Sequence, residues 1–181
     1  MFAKLIKTTL LTLLAYLLQA TTAQYIAIGG VAPNIALALT AVVTVCLGRK
    51  YTFMMSLSIG YLLEIMLPAL DYINLLAYPV CAMLGALLFS DKSERRLEEE
   101  RTQGKRGKQW NPHIRTLLCA GLSVAVFESV NLVYTYLSGV SLDAGHWGRA
   151  ITDILYTMVI AGAAQFPIRL WMGTYKLRKA Q

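Results

Sequence analysis

The lysines and arginines of this chain fall into every second gap between its apolar segments, and that alternation constrains the fold more than any motif does. The basic gaps hold Lys4 and Lys7; Arg49 and Lys50; the run from Lys92 to Lys108, with Arg115 beside it; and Lys176, Arg178 and Lys179. Between them, Gln24 to Ala32, Pro68 to Tyr72 and Ser138 to Gly148 carry no Lys or Arg. Short loops rich in Lys and Arg stay on the cytoplasmic side of a membrane. The pattern therefore predicts an even number of spans with both termini cytoplasmic.

Composition sets the number. A hydrophobic fraction of 56% and a mean hydropathy of +0.52 are too high for an ordinary soluble domain of 181 residues. Each crossing takes roughly 20 residues, so six use about two thirds of the chain and leave no room for a separate soluble domain. The expected fold is all-α: a polytopic membrane helix bundle, one transmembrane domain over residues 1–181. Its six spans are expected at about 5–23, 33–47, 51–67, 73–90, 114–137 and 147–175, with a charged cytoplasmic loop over 91–111. Span two is short, with Pro33 placed to open its first turn. Pro79 should kink span four or interrupt its hydrogen bonding. Spans three and four form a tight outer hairpin, and charge alone leaves a re-entrant pair open. Thr21-Thr22-Ala23 resembles a signal-peptide cleavage site, but apolar sequence resumes at once, which favours a retained first span.

The first half of the 91–111 loop has good helix formers with Leu97 as its single large apolar residue, so it reads as a solvated extension of span four. It is either a docking surface for a cytoplasmic partner or a plain charged tether. The formal charge of +7 sits where loops meet anionic headgroups, which argues for the lipid bilayer and against nucleic acid as its partner.

Catalytic patterns are absent from the sequence. Cys46, Cys81 and Cys119 lie in apolar stretches without C-x-x-C spacing, so they read as packing residues rather than disulfide or metal ligands. His113 and His146 fall at opposite membrane faces, roughly 30 Å apart, and cannot share a site. Glu98-Glu99-Glu100 lies in the polar loop with no partner histidine in a span. No nucleophile and base pair, phosphate-binding glycine loop or cofactor motif occurs. The expectation is no enzyme, no cofactor and no metal.

Ionisable residues inside apolar spans are costly and point to function. Glu64 and Glu128, each 13 residues beyond Tyr51 and Arg115, lie about 20 Å in from the basic side. Asp153, six residues after Trp147 on a descending span, reaches a comparable depth. Arg149, four residues before Asp153, has the spacing of a same-face ion pair. Glu64, Glu128, Asp153 and Arg149 form the candidate intramembrane polar cluster, which would fix packing or line an outward cavity. Separate carboxyls satisfied by neighbours such as Asn131 are the alternative. Arg169 sits near the inner end of its span and can snorkel.

Several short motifs fall in an order that resembles the MreD family of rod shape-determining membrane proteins. These are Leu17-Leu18-Gln19 closing the first span, Ala32-Pro33-Asn34 opening the second, and the Gly48-Arg49-Lys50 turn. Gly60-Tyr61-Leu62-Leu63-Glu64 in the third span and Leu155-Tyr156-Thr157 in the last complete the set. Family members commonly carry Asp at the position of Glu64 and a shorter loop than 91–111. The resemblance implies a non-catalytic scaffold or assembly factor of the bacterial cell-elongation complex in the cytoplasmic (inner) membrane. It also implies partners: an MreC-like protein, a RodA-like glycosyltransferase, a class B penicillin-binding protein and, indirectly, MreB filaments, all in lateral peptidoglycan synthesis. MreD-like chains are also similar to the substrate-binding S components of energy-coupling-factor vitamin transporters, the alternative reading.

Overall fold

A computed structural model describes residues 2–66, 72–90 and 110–173, and the regular structure among them is helical. In order these are α1 (Phe2–Leu17), α2 (Ile35–Leu47), α3 (Arg49–Met66), α4 (Ile73–Phe89), α5 (Pro112–Leu137) and α6 (Ala144–Met172). Residues 67–71, the charged segment 91–109 and the basic segment from 174 lie outside the described residues.

Three stretches, Phe2–Thr22, Pro112–Leu137 and Ala144–Met172, are long and apolar enough to cross a membrane. The others fall short for separate reasons. Helix α2 has 13 residues, or about 20 Å of rise, against a core of roughly 30 Å. Helix α4 has 17, and α3 carries Arg49, Lys50 and Glu64 in its 18. The shortness of α2 follows from its place. Every residue from Ile35 to Val45 is buried, and the helix packs against all five others. A helix apolar on every side belongs inside a bundle, and α2 is the hub around which the rest are arranged.

The outer faces are apolar as well. Leu10, Leu14 and Leu17 of α1, Phe53 and Leu57 of α3, Leu84 and Leu88 of α4, Val133 of α5, and Leu155 and Val159 of α6 are all exposed. A soluble monomer does not present such a surface to water. Lipid is the medium that accepts it.

Local chemistry explains the ends of the elements. Ile28 and Val31 exchange backbone hydrogen bonds of 3.0 and 3.1 Å across Gly29-Gly30. Both glycines have positive φ, +60° and +78°, the backbone that a two-residue hairpin turn demands. Pro33 stands one residue before the cap of α2 and not in its first turn. Asn34 is the cap, its Oδ1 accepting from Leu37 N–H at 3.0 Å. Helix α4 continues unbroken through Pro79, and α6 through Pro167, whose effect the periodicity did not single out.

One end of the bundle is joined by cations. Lys7 Nζ donates to the Trp171 carbonyl at 2.6 Å, tying the start of α1 to the end of α6. Arg49 Nε donates to Ser90 Oγ at 2.9 Å, and its Nη2 to the Leu87 carbonyl at 3.1 Å. The Arg115 guanidinium donates to the Phe89 carbonyl. Two arginines thus sit on the carbonyl end of α4, where the helix dipole favours positive charge. Arg169 is buried rather than snorkelling, its Nη2 donating to the Pro112 carbonyl at 2.9 Å and to Thr116 Oγ1 at 3.0 Å. The basic gaps before residue 90, Arg115 of α5 and Arg169 of α6 converge on this end.

Candidate functional site

The opposite end is built around the N-terminus of α2, whose first N–H groups have no partners within the helix. A π-helical turn, Leu18–Thr22, extends α1 and brings Gln19 within reach. The Ala36 N–H donates to Gln19 Oε1 at 3.1 Å. The Asn34 N–H donates to Thr157 Oγ1 at 3.0 Å and to Asp153 Oδ1 at 3.2 Å, both on α6. Thr157 in turn donates to Asp153 at 2.9 Å. Tyr78 of α4 directs its hydroxyl at Asn34 Oδ1, 3.5 Å away, and its ring packs on Phe127 of α5. Side chains from four elements therefore meet at the start of the hub helix. Each satisfies a group that would otherwise be stranded in an apolar interior.

Asp153 belongs to this joint, and Glu128 approaches it from α5. The two carboxyls line the same cavity and act on each other electrostatically, and Asn131 Nδ2 points at Glu128 Oε1 from 3.5 Å. Arg149 faces the same space and acts electrostatically on Glu128. Among the described residues it makes no ion pair within 4.0 Å with Asp153, so the same-face pairing expected from their spacing is not formed.

Glu64 stands apart from these three. Its Oε1 accepts from Tyr72 N–H at 3.0 Å and its Oε2 from Asn74 N–H at 3.1 Å, which caps α4. Tyr72 has φ of +60°, a left-handed conformation uncommon for a side chain of its size. The Glu64 carboxyl holds that residue in place. By rise along its helix Glu64 is level with the other carboxyls, but its hydrogen bonds go to the start of α4.

A cavity of about 430 Å³ opens at this end, lined by the Gly30–Ala32 loop, by Glu128, Asn131, Leu132 and Thr135 of α5, and by His146, Arg149 and Asp153 of α6. Asp153 forms its buried floor, while Arg149 is exposed. At the mouth, Asp143 caps α6 and pairs with His146, Nδ1 to Oδ1 at 2.5 Å. Hydrogen bonds from the His146 side chain and backbone hold the Asp143 carboxyl below its usual range. The pair fixes the ring and leaves Nε2 as its other polar atom.

His113 is at the far end, its Nδ1 3.1 Å from Gln165 Oε1 and its ring stacked on Phe166. Nineteen residues of α6 separate Gln165 from His146, about 28 Å of helix. Cys46, Cys81 and Cys119 form no disulfide. Among the described residues no three His, Cys, Asp or Glu side chains are gathered as a metal set. Comparison with protein-family models, curated proteins and solved structures finds no match to this chain.

Proposed function

We propose that this chain is a non-catalytic assembly component of the bacterial cell-elongation complex, an MreD-like protein of the cytoplasmic membrane. In this reading six helices cross with both termini cytoplasmic. Supporting it is where the short resemblance motifs fall. Gln19, Asn34 and Thr157 meet at the start of α2. Glu64 caps the start of α4, and Arg49 closes its end. Residues that are dispersed in sequence act together as the joints of one bundle, as expected if the resemblance reflects a shared architecture. The protein would act by presenting lipid-facing helix surfaces to the transmembrane helices of an MreC-like protein, a RodA-like glycosyltransferase and a class B penicillin-binding protein.

Affinity purification from native membranes with mass spectrometry tests this. Wall-synthesis partners are the expected result; transporter ATPases in their place would overturn it.

The cavity favours a second reading, the substrate-binding subunit of an energy-coupling-factor vitamin transporter. Its lining argues for a different kind of ligand, since no Trp or Tyr is among the residues that form it. Vitamin rings are held by apolar and aromatic walls with a few polar groups. A vitamin retained in protein purified from its native membrane would favour this alternative.

A further inference from the structure

Charges of both signs are laid out in depth in the cavity. Its floor is acidic, with Asp153 6% exposed and Glu128 beside it. Arg149 is one helical turn nearer the mouth than Asp153, about 6 Å of rise, and His146 is two turns nearer, about 10 Å. Asn131 and Thr135 continue the opposite wall. A volume of about 430 Å³ falls in the range of roughly 300 to 1,000 Å³ that small-molecule sites occupy.

A bare anion entering this space meets two carboxyls, and a bare cation must pass the guanidinium. A molecule with an ammonium at one end and an oxyanion a few bonds away satisfies both. We propose that the cavity binds a small zwitterion, its primary ammonium against Glu128 and Asp153 and its oxyanion toward Arg149 and His146. Amino acids and phosphoethanolamine share this chemistry, the latter free or as a lipid headgroup. Carboxyl oxygens at the floor call for N–H donors, which a quaternary ammonium lacks. Quaternary groups are bound instead by aromatic faces, and the lining residues include none besides the imidazole of His146. Ethanolamine is therefore preferred over choline. This inference is independent of the assembly reading, which partner capture tests separately.

Full-length protein in detergent would be titrated by calorimetry with glycine, phosphoethanolamine and phosphocholine. In parallel, its thermal stability would be measured in bicelles of phosphatidylethanolamine or phosphatidylcholine. The expected result is binding of at least one ammonium-bearing probe, with the choline counterpart at least about tenfold weaker. The arm that responds identifies the source, a soluble molecule or the lipid. Arg149→Gln, at an exposed position, and Glu128→Gln should each weaken that probe by about tenfold or more, the scale of one lost charge-assisted hydrogen bond. The proposal is overturned if no ammonium-bearing probe binds, if phosphocholine and phosphatidylcholine do as well, or if both variants bind as the parent does.

Discussion

Glu64 shows how one carboxyl in an apolar helix can be a structural device. It accepts two backbone N–H bonds and holds Tyr72 in a left-handed conformation. Glu64→Ala removes both acceptors and should lower stability by about 1 to 2 kcal/mol, whereas Glu64→Gln keeps one carbonyl oxygen and should lose less. Asp153 invites the same comparison, because its Oδ1 accepts from Asn34 and Thr157. Asp153→Leu strands buried donors at about 1 to 3 kcal/mol, and Asp153→Asn, which keeps an acceptor, should be milder. Thermal unfolding of the four detergent-purified variants checks both orders; equal loss within either pair would show that hydrogen bonding is not what the carboxyl supplies. Glu64, Asp153, Glu128 and Arg149 were all visible in the sequence as ionisable residues in apolar spans. Their division was not, because rise along separate helices says nothing about which way each side chain turns.

At the scale of elements, close approach of α3 and α4 rests on Gly60. A Cβ there would come within 2.7 Å of the Asn74 carbonyl oxygen and 3.3 Å of Leu75 Cα. These are backbone atoms, which cannot swing aside as a side chain would. Gly60→Ala should force the helices apart and cost about 1 to 3 kcal/mol. Gly148→Ala on α6 is the control, since nothing lies within 4 Å of its added Cβ, and Ala is the better helix former there. Melting temperatures should fall for the first and hold or rise for the second; a tolerated Gly60→Ala would mean that the α3–α4 contact has slack. Gly60 appears in sequence as one of many small residues in an apolar stretch. Gln19 is similarly inconspicuous, although a single amide between two apolar runs is a signal that it needs a partner.

Across the whole molecule, the lysines and arginines that mark the basic gaps also hold the fold together. Arg49 and Arg115 sit on the carbonyl end of α4 and Lys7 on that of α6. If this end is cytoplasmic, as proposed, reporter fusions at Gly30, Asp71 and Asp143 should read outside, and fusions at Gly104 and Gln181 inside. A cytoplasmic signal at both Asp71 and Asp143 would sink the six-crossing arrangement. Arg49→Gln should weaken the α4 terminus by about 1 kcal/mol. It should leave those reporter signals unchanged, because Lys50 and the 91–111 loop still carry charge on that side.

The sequence by itself determined that the chain is helical, apolar on its outside and polar at alternating turns, because hydropathy and charge act residue by residue along the chain. It also placed a helix start at Pro33, since proline's fixed φ is a local preference, although the cap falls on Asn34 and leaves Pro33 outside the first turn. Only the tertiary structure decided that the shortest apolar segment, Ile35 to Leu47, is the central helix. A segment that never faces lipid is freed from the length that a bilayer imposes. The packing likewise brought Glu128, Asp153, Arg149 and His146 to one cavity while turning Glu64 away. Burial, hydrogen-bond partners and cavity walls depend on the rotation of one helix against another, and no single segment encodes that.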